Sequence, residues 1–271
     1  MTQQNFFLKI LENLIRSNLY VFIFMRFIVN NLFTKYIYDT DFKIIKILKK
    51  NSYFKDLKRP IIDIGANDGI SYKFIRNFLK NNLIYSFEPL KIKFNQLKKL
   101  RNKDRNYKIL NYGLSNKATL KKIYIPFFKK YALSYFAGIN KRFVSLRLKE
   151  SIFVKNLLNK IKFKSEFIKL QKLDVMNLNP NFIKIDVEGH EYECILGSIK
   201  TIKKNKPILL IEYNSKINKK INNILKKIGY KAYYYNNKNN CIKLYKNKKV
   251  FNIIYVHNNL KQIIQNDHYK T

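Results

Sequence analysis

The sequence has no tryptophan, two cysteines, three histidines, five prolines and seven glycines in 271 residues. Acids are scarce too, with 17 Asp and Glu against 55 Lys and Arg and a formal net charge of +38. Cys194 and Cys241 stand far apart without C-x-x-C spacing, which excludes a cysteine-built zinc site or a disulfide framework and suits a reducing cytosol. Long apolar runs are also lacking. The most apolar early stretch, LYVFIFMRFIVNNLF at 19–33, is interrupted by Arg26, Asn30 and Asn31 and falls short of the roughly 20 residues a membrane span needs. It starts late and has no small-residue cleavage site, so a packed or interfacial helix is expected rather than a signal peptide. Few glycines and prolines beside many Lys, Asn, Ile, Phe and Tyr, all with AT-rich codons, read as compositional drift. The positive charge alone is therefore discounted as a sign of nucleic-acid binding.

What is present is a core-forming chain, 46% hydrophobic, of a length that suits one αβ domain with an extension. Residues 1–58 read as an N-terminal helical extension, because Phe6, Ile10, Leu14 and later Ile44, Ile45 and Leu48 recur at helical spacing. Residues 59–271 read as the main domain. IIDIG at 61–65 is a β-branched run typical of a strand buried on both faces. Strands are likewise expected at 83–89, 108–115, 182–189, 207–214, 231–236 and 251–257, with helices between the earlier ones. This alternation predicts an α/β fold with a doubly wound, Rossmann-like, mainly parallel sheet. The order of residues 126–168 is not apparent, and an inserted substrate-facing segment is expected there.

Open parallel sheets bind ligands beyond the carboxyl ends of their strands. Eight of the 17 acids map to that edge: Asp63, Asp68, Glu88, Asp186, Glu188, Glu191, Glu193 and Glu212. In the first loop, DIGANDGIS, Asn67 and Ile70 occupy the second and third glycine positions of a G-x-G-x-x-G dinucleotide fingerprint. Glu88 stands where an acid at the end of the second strand accepts hydrogen bonds from a ribose diol. Together these features favour S-adenosyl-L-methionine over NAD.

DIGANDG, SFEP, NYGLS, the Leu173-Asp174 pair, IKIDVEGHE and LLIEYN, in this order, resemble the FkbM family of S-adenosylmethionine-dependent methyltransferases over residues 58–257. The resemblance implies a class I methyltransferase fold and methyl transfer to a hydroxyl oxygen, often of a sugar, polysaccharide or macrolide. It implies cofactor binding by Asp63, Gly65, Asn67 and Gly69, ribose binding by Glu88 and an adenine-side loop at Gly113, Leu114 and Ser115. Asp186, Glu188 and Glu191 take the acidic positions of its later motif. Methyl transfer needs a positioned base for the acceptor hydroxyl, and His190 is the best single candidate. Asp186 is expected to orient the substrate or the methionine amine, and Glu212 to contact substrate. Glu188 serves either catalysis or the helix amino terminus, and Glu193 faces solvent. No spacing demands a metal.

The expected protein is a cytoplasmic O-methyltransferase acting on a small-molecule or glycan acceptor. Residues 213–266 hold no acid and many lysines, which also suggests contact with the inner face of the membrane. Two alternatives are a nucleic-acid methyltransferase, although DVEG occupies the place where an amino-methylating Pro-Pro-Tyr signature would follow, and a noncatalytic module that retains the fold.

Overall fold

The structure, a computed structural model, describes residues 39–151, 155–236, 239 and 241–265. The apolar stretch 19–33 and most of the expected extension lie outside them. The described residues divide into two compact units, one within residues 39–121 and 167–265, the other within residues 122–166.

The larger unit opens with α1 (Asp39–Lys50), which is no appendage. Its Ile44, Ile45 and Leu48 are fully buried in one cluster with Ile61, Ile84 and Phe182 of the central strands. The core of the larger unit therefore takes in Ile44, Ile45 and Leu48, residues read from the sequence as part of the extension. An amphipathic helix whose apolar stripe is this wide has to cover a sheet face.

β1 (Ile61–Ile64) is buried throughout, and α2 (Ile70–Phe78) follows it, packing Tyr72, Phe74 and Ile75 inward. Next come β2 (Ile84–Phe87), α3 (Lys91–Arg101) and β3 (Tyr107–Leu110). The expected single strand at 108–115 breaks at Asn111 and Tyr112. The Asn111 amide donates to the carbonyls of Glu88 and Pro89, both at 3.0 Å, and the chain turns away from the sheet. It resumes as β4 (Gly113–Leu114), which pairs in parallel with Leu170 and Gln171.

Residues 126–168, whose order the sequence left open, are largely regular. β5 (Thr119–Phe128) and β6 (Tyr131–Ala132) form a hairpin, α4 (Lys141–Glu150) follows with Asn140 as its N-cap, and β7 (Ile161–Gln171) leads back into the larger unit. Phe128, Leu133, Phe136, Val144 and Leu148 give this smaller unit its own core.

β8 (Phe182–Ile185) is again fully buried. The helix expected after it is two helices, α5 (Glu191–Leu196) and α6 (Ile199–Asn205). Both sides of the break are specified. A Cβ on Gly197 would lie 1.8 Å from the Ser115 carbonyl oxygen, and the Asp174 carboxylate accepts from Lys200 N and Thr201 N at 3.2 and 2.8 Å to start α6. β9 (Ile208–Glu212), α7 (Asn218–Lys227), β10 (Tyr230–Asn236), an unanticipated β11 (Cys241–Leu244), β12 (Asn252–His257) and α8 (Lys261–Gln265) complete the unit. Tyr233 and Tyr235 are buried while Tyr234 is half-buried, the alternation of a strand rather than a stacking platform.

The eight-stranded sheet runs β11-β10-β12-β9-β8-β1-β2-β3. Strands β3, β2, β1, β8 and β9 are parallel, and β12 inserts antiparallel between β9 and β10. From β1 the chain steps to β2 and β3 on one side and later to β8 and β9 on the other. The order reverses between β1 and β8, where such sheets open a crevice. Among the described residues no helix is long and apolar enough to cross a membrane.

Gly197 has an ordinary helical φ of −78°, so replacing it tests contact alone. Gly197→Ala is expected to lower the unfolding free energy in urea by about 1–3 kcal/mol through overpacking against Ser115, and an unchanged midpoint would contradict this packing.

Candidate active site at the ends of β1 and β8

Strand register aligns four of the expected site residues. Ile64 pairs with Phe87 and with Ile185, and Ile185 with Ile211. The next residues along, Gly65, Glu88, Asp186 and Glu212, therefore form one row across the carboxyl edge of four adjacent parallel strands. Gly65 and Asp186 touch: a Cβ on Gly65 would lie 1.8 Å from the Asp186 carbonyl oxygen, and Gly65 has φ +81°. Only glycine fits both demands.

Beneath this row lies a residue that sequence reasoning missed. Lys184, in the middle of β8, is 7% exposed. Its ammonium sits 3.3 Å from Asp63 Oδ1 and 3.4 Å from Asp186 Oδ2, and donates to the Gly65 carbonyl at 3.2 Å. Burial works against its charge, but the fields of Asp186 and Asp63 outweigh that cost and hold its pKa above the ordinary lysine value. The available signal was a lysine inside FIKI, a strand otherwise wholly apolar.

Asp63 has no exposed surface. Its Oδ2 accepts from Ser71 Oγ at 2.6 Å and from Ser86 Oγ at 3.1 Å. Asp63, read from the sequence as a cofactor-binding residue, is thus engaged by Ser71, Ser86 and Lys184 behind the 65–69 loop. Asn67 has φ +49°, its N–H donates to Glu88 Oε2 at 2.8 Å, and Gly69, with φ +81°, is the N-cap residue of α2. Gly69 faces Leu97 and Leu100 of α3, so its lack of a side chain serves helix packing.

Glu88 is 5% exposed and spans two loops, with Oε2 on Asn67 N and Oε1 on Leu90 N, each at 2.8 Å. Burial pushes its pKa up to about 7, against the two N–H donors that pull it down. Each oxygen keeps a second lone pair for a hydroxyl donor.

The acidic turn 186–190 is held by Glu191, which is fully buried. Its Oε1 accepts from Val187 N at 3.2 Å and Gly189 N at 2.9 Å, pinning a turn in which Glu188 (φ +58°) and Gly189 (φ +97°) are both left-handed. Burial raises the Glu191 pKa. A left-handed Glu costs about 1–3 kcal/mol, and these two hydrogen bonds offset it.

His190 places Nε2 3.0 Å from Ser115 Oγ and Nδ1 3.5 Å from Glu193 Oε2. Burial lowers its pKa, only partly opposed by Glu193, with Lys121 adding to the lowering. The ring is thus neutral at pH 7, and it joins the acidic turn to the Gly113–Ser115 segment. Leu114 is 2% exposed within the core, and its carbonyl accepts from Cys194 Sγ at 3.0 Å. Its side chain packs in the core cluster that holds Phe87, Leu173 and Ile195. Glu193 is partly exposed, at 37% of its side chain. Among the described residues no cluster of three His, Cys, Asp or Glu side chains could hold a metal ion.

The raised pKa of Glu88 carries a sign. Folding binds a proton at Glu88 between its ordinary value of 4.5 and about 7, so its contribution stabilises the fold below that window and is lost as pH rises through it. The stability difference between wild type and Glu88→Gln, measured by urea unfolding, is expected to shrink by on the order of 3 kcal/mol from pH 4.5 to 7.5. A difference constant with pH would contradict the assignment.

The methyltransferase FkbM domain model matches residues 63–232, well over half of the chain. No curated protein matches it. The crystal structure of a methyltransferase FkbM from Methylobacillus flagellatus KT is similar at TM-score 0.47 and 15% identity, covering 73% of this chain and 43% of that one. This chain thus spans less than half the length of that protein. A precorrin-6y C5,15-methyltransferase from Geobacter metallireducens GS-15 aligns at TM-score 0.36 and 10% identity, covering 73% and 78% of the two chains. An rRNA methylase from Streptococcus thermophilus aligns at TM-score 0.39 and 8% identity, over 77% and 94%. With its motifs placed along one sheet edge of the Rossmann-like fold, the chain belongs to the FkbM family of S-adenosylmethionine-dependent methyltransferases.

Proposed function

We propose that this protein transfers the methyl group of S-adenosylmethionine to a hydroxyl oxygen of a sugar, polysaccharide or glycolipid. The observation that carries the reading is the row of Gly65, Glu88, Asp186 and Glu212 across the switch point of the sheet. The residues present fit the cofactor. Glu88 has spare lone pairs for the two donors of a ribose diol, and its backbone partners fix its orientation. Asp186, with its side chain 39% exposed, offers an anion to the cofactor's ammonium. The bound cofactor supplies an already activated methyl group, so the protein's task is alignment and proton removal.

His190 takes the acceptor's proton. Its lowered pKa leaves the imidazole neutral, and a carboxylate on the Nδ1 side favours the tautomer with Nε2 as proton acceptor. Ser115 Oγ occupies that position now, so an acceptor hydroxyl either displaces this contact or passes its proton through Ser115. Glu212, level with Asp186 on the neighbouring strand, bounds the acceptor side.

An anionic acceptor or an anionic lipid surface suits the acid-free stretch 213–266, where Lys219, Lys220, Lys226 and Lys227 of α7 are exposed. Such contact would hold the enzyme at the inner face of the membrane, a contact weakened by salt.

Calorimetry with S-adenosylmethionine is expected to show one-site binding, weakened at least tenfold in Glu88→Ala; absence of binding by the wild type would overturn the methyltransferase reading. Incubation with methyl-labelled cofactor and separated cell fractions is expected to label glycan or glycolipid as a base-stable methyl ether. Label confined to nucleic acid would overturn the hydroxyl assignment. Once an acceptor is available, kcat is expected to rise with pH through a pKa below 6.5 and stay flat above it, and His190→Ala to lose about 10²–10⁴-fold; normal turnover in that variant would remove His190 as the base.

A further inference from the structure

One buried cation has no part in the chemistry described so far. Lys184 pays a large desolvation penalty, and an ion so placed needs a partner. Asp63, fully buried at 3.3 Å, is partner enough. Yet the ammonium also reaches Asp186, whose side chain is 39% exposed and is solvated without help, and the carbonyl of Gly65. These two additional contacts lie on the two loops that meet at the switch point. The cation thus extends from the buried interior to the one exposed carboxylate of the cluster, and ties it to the backbone of the cofactor loop.

The charges give that tie a purpose. Asp63, Asp186 and Lys184 sum to a single negative charge, carried at the surface by Asp186. S-adenosylmethionine has a net positive charge at neutral pH, whereas its demethylated product is neutral. An anion that recognises a cation by a short contact has to be held still, because a freely rotating carboxylate loses that contact to side-chain entropy.

We propose that Lys184 is a positioning residue for the cofactor, acting through Asp186: it fixes the Asp186 carboxylate against the Gly65 loop so that the anion meets the cofactor's cationic end in one orientation. The inference rests on the S-adenosylmethionine reading given above. It requires that Lys184 do more than balance Asp63.

A double-mutant cycle separates these roles. S-adenosylmethionine affinity is measured by calorimetry, and folding by circular dichroism in urea, for wild type, Lys184→Met, Asp63→Asn and Asp63→Asn/Lys184→Met. In the Asp63→Asn background the buried acid is neutral, and Ser71 and Ser86 can still donate to the amide oxygen. Lys184→Met then strands no buried charge, so the double variant is expected to fold. Lys184→Met is expected to weaken cofactor binding at least tenfold in both backgrounds. If its effect vanishes in the Asp63→Asn background, Lys184 is only a counter-ion and the proposal falls. It falls equally if the double variant does not fold, since Lys184 would then be required by the fold itself. Failure of the wild type to bind the cofactor is a separate result that removes the underlying methyltransferase reading.

Discussion

The contact on which the rest of the molecule depends joins two backbones. The carbonyl oxygen of Asp186 fills the space where any side chain at residue 65 would begin, 1.8 Å from an added Cβ. Around it the ladders continue without a gap: Asp186 N donates to Ile64 O at 3.1 Å, and Gly65 N to Phe87 O at 3.0 Å. Parallel strands whose order reverses between them normally diverge at their ends and leave a crevice. Here the first residues beyond the strands are locked together, so the loops that line the crevice start from fixed points. Lys184 reinforces that lock from below, and the Gly65 carbonyl accepts from it.

The scarcity of acids takes on meaning in this frame. Several of the acids near the site are turned inward as acceptors for backbone N–H groups and hydroxyls. Glu88 ties Asn67 to Leu90, Glu191 ties Val187 to Gly189, Asp174 starts α6, and Asp63 gathers Ser71 and Ser86. A carboxylate can accept several such bonds at once, which an amide or hydroxyl does less well. The cost is desolvation, visible in the raised pKa values of Glu88 and Glu191. Asp186, with its side chain 39% exposed, remains open to a ligand.

Much of this was legible in the sequence because it depends on local pattern. IIDIG, LIYSFEP, FIKIDVEG and PILLIEYN announce buried parallel strands through their β-branched runs, and the acids that end them fall along one edge. What was not legible depends on contacts distant in sequence. Nothing in GLS reveals that Ser115 meets His190, nor in ILGS that Gly197 must clear a carbonyl 82 residues earlier. The 126–168 segment, with strands of mixed pattern, follows a core of its own. Asp63 and Leu114, assigned to ligand contact by motif position, lie buried, and the charge that links the loops is a lysine disguised by a lysine-rich composition.

The central claim is that the 65–69 loop and the 186–190 turn form one ligand-holding edge. Amide hydrogen exchange with and without S-adenosylmethionine tests it most directly. Added cofactor is expected to slow exchange in both segments together and in the 88–90 turn, at cofactor concentrations that follow one binding curve. Protection confined to one of the two segments, or appearing only elsewhere in the chain, would contradict it.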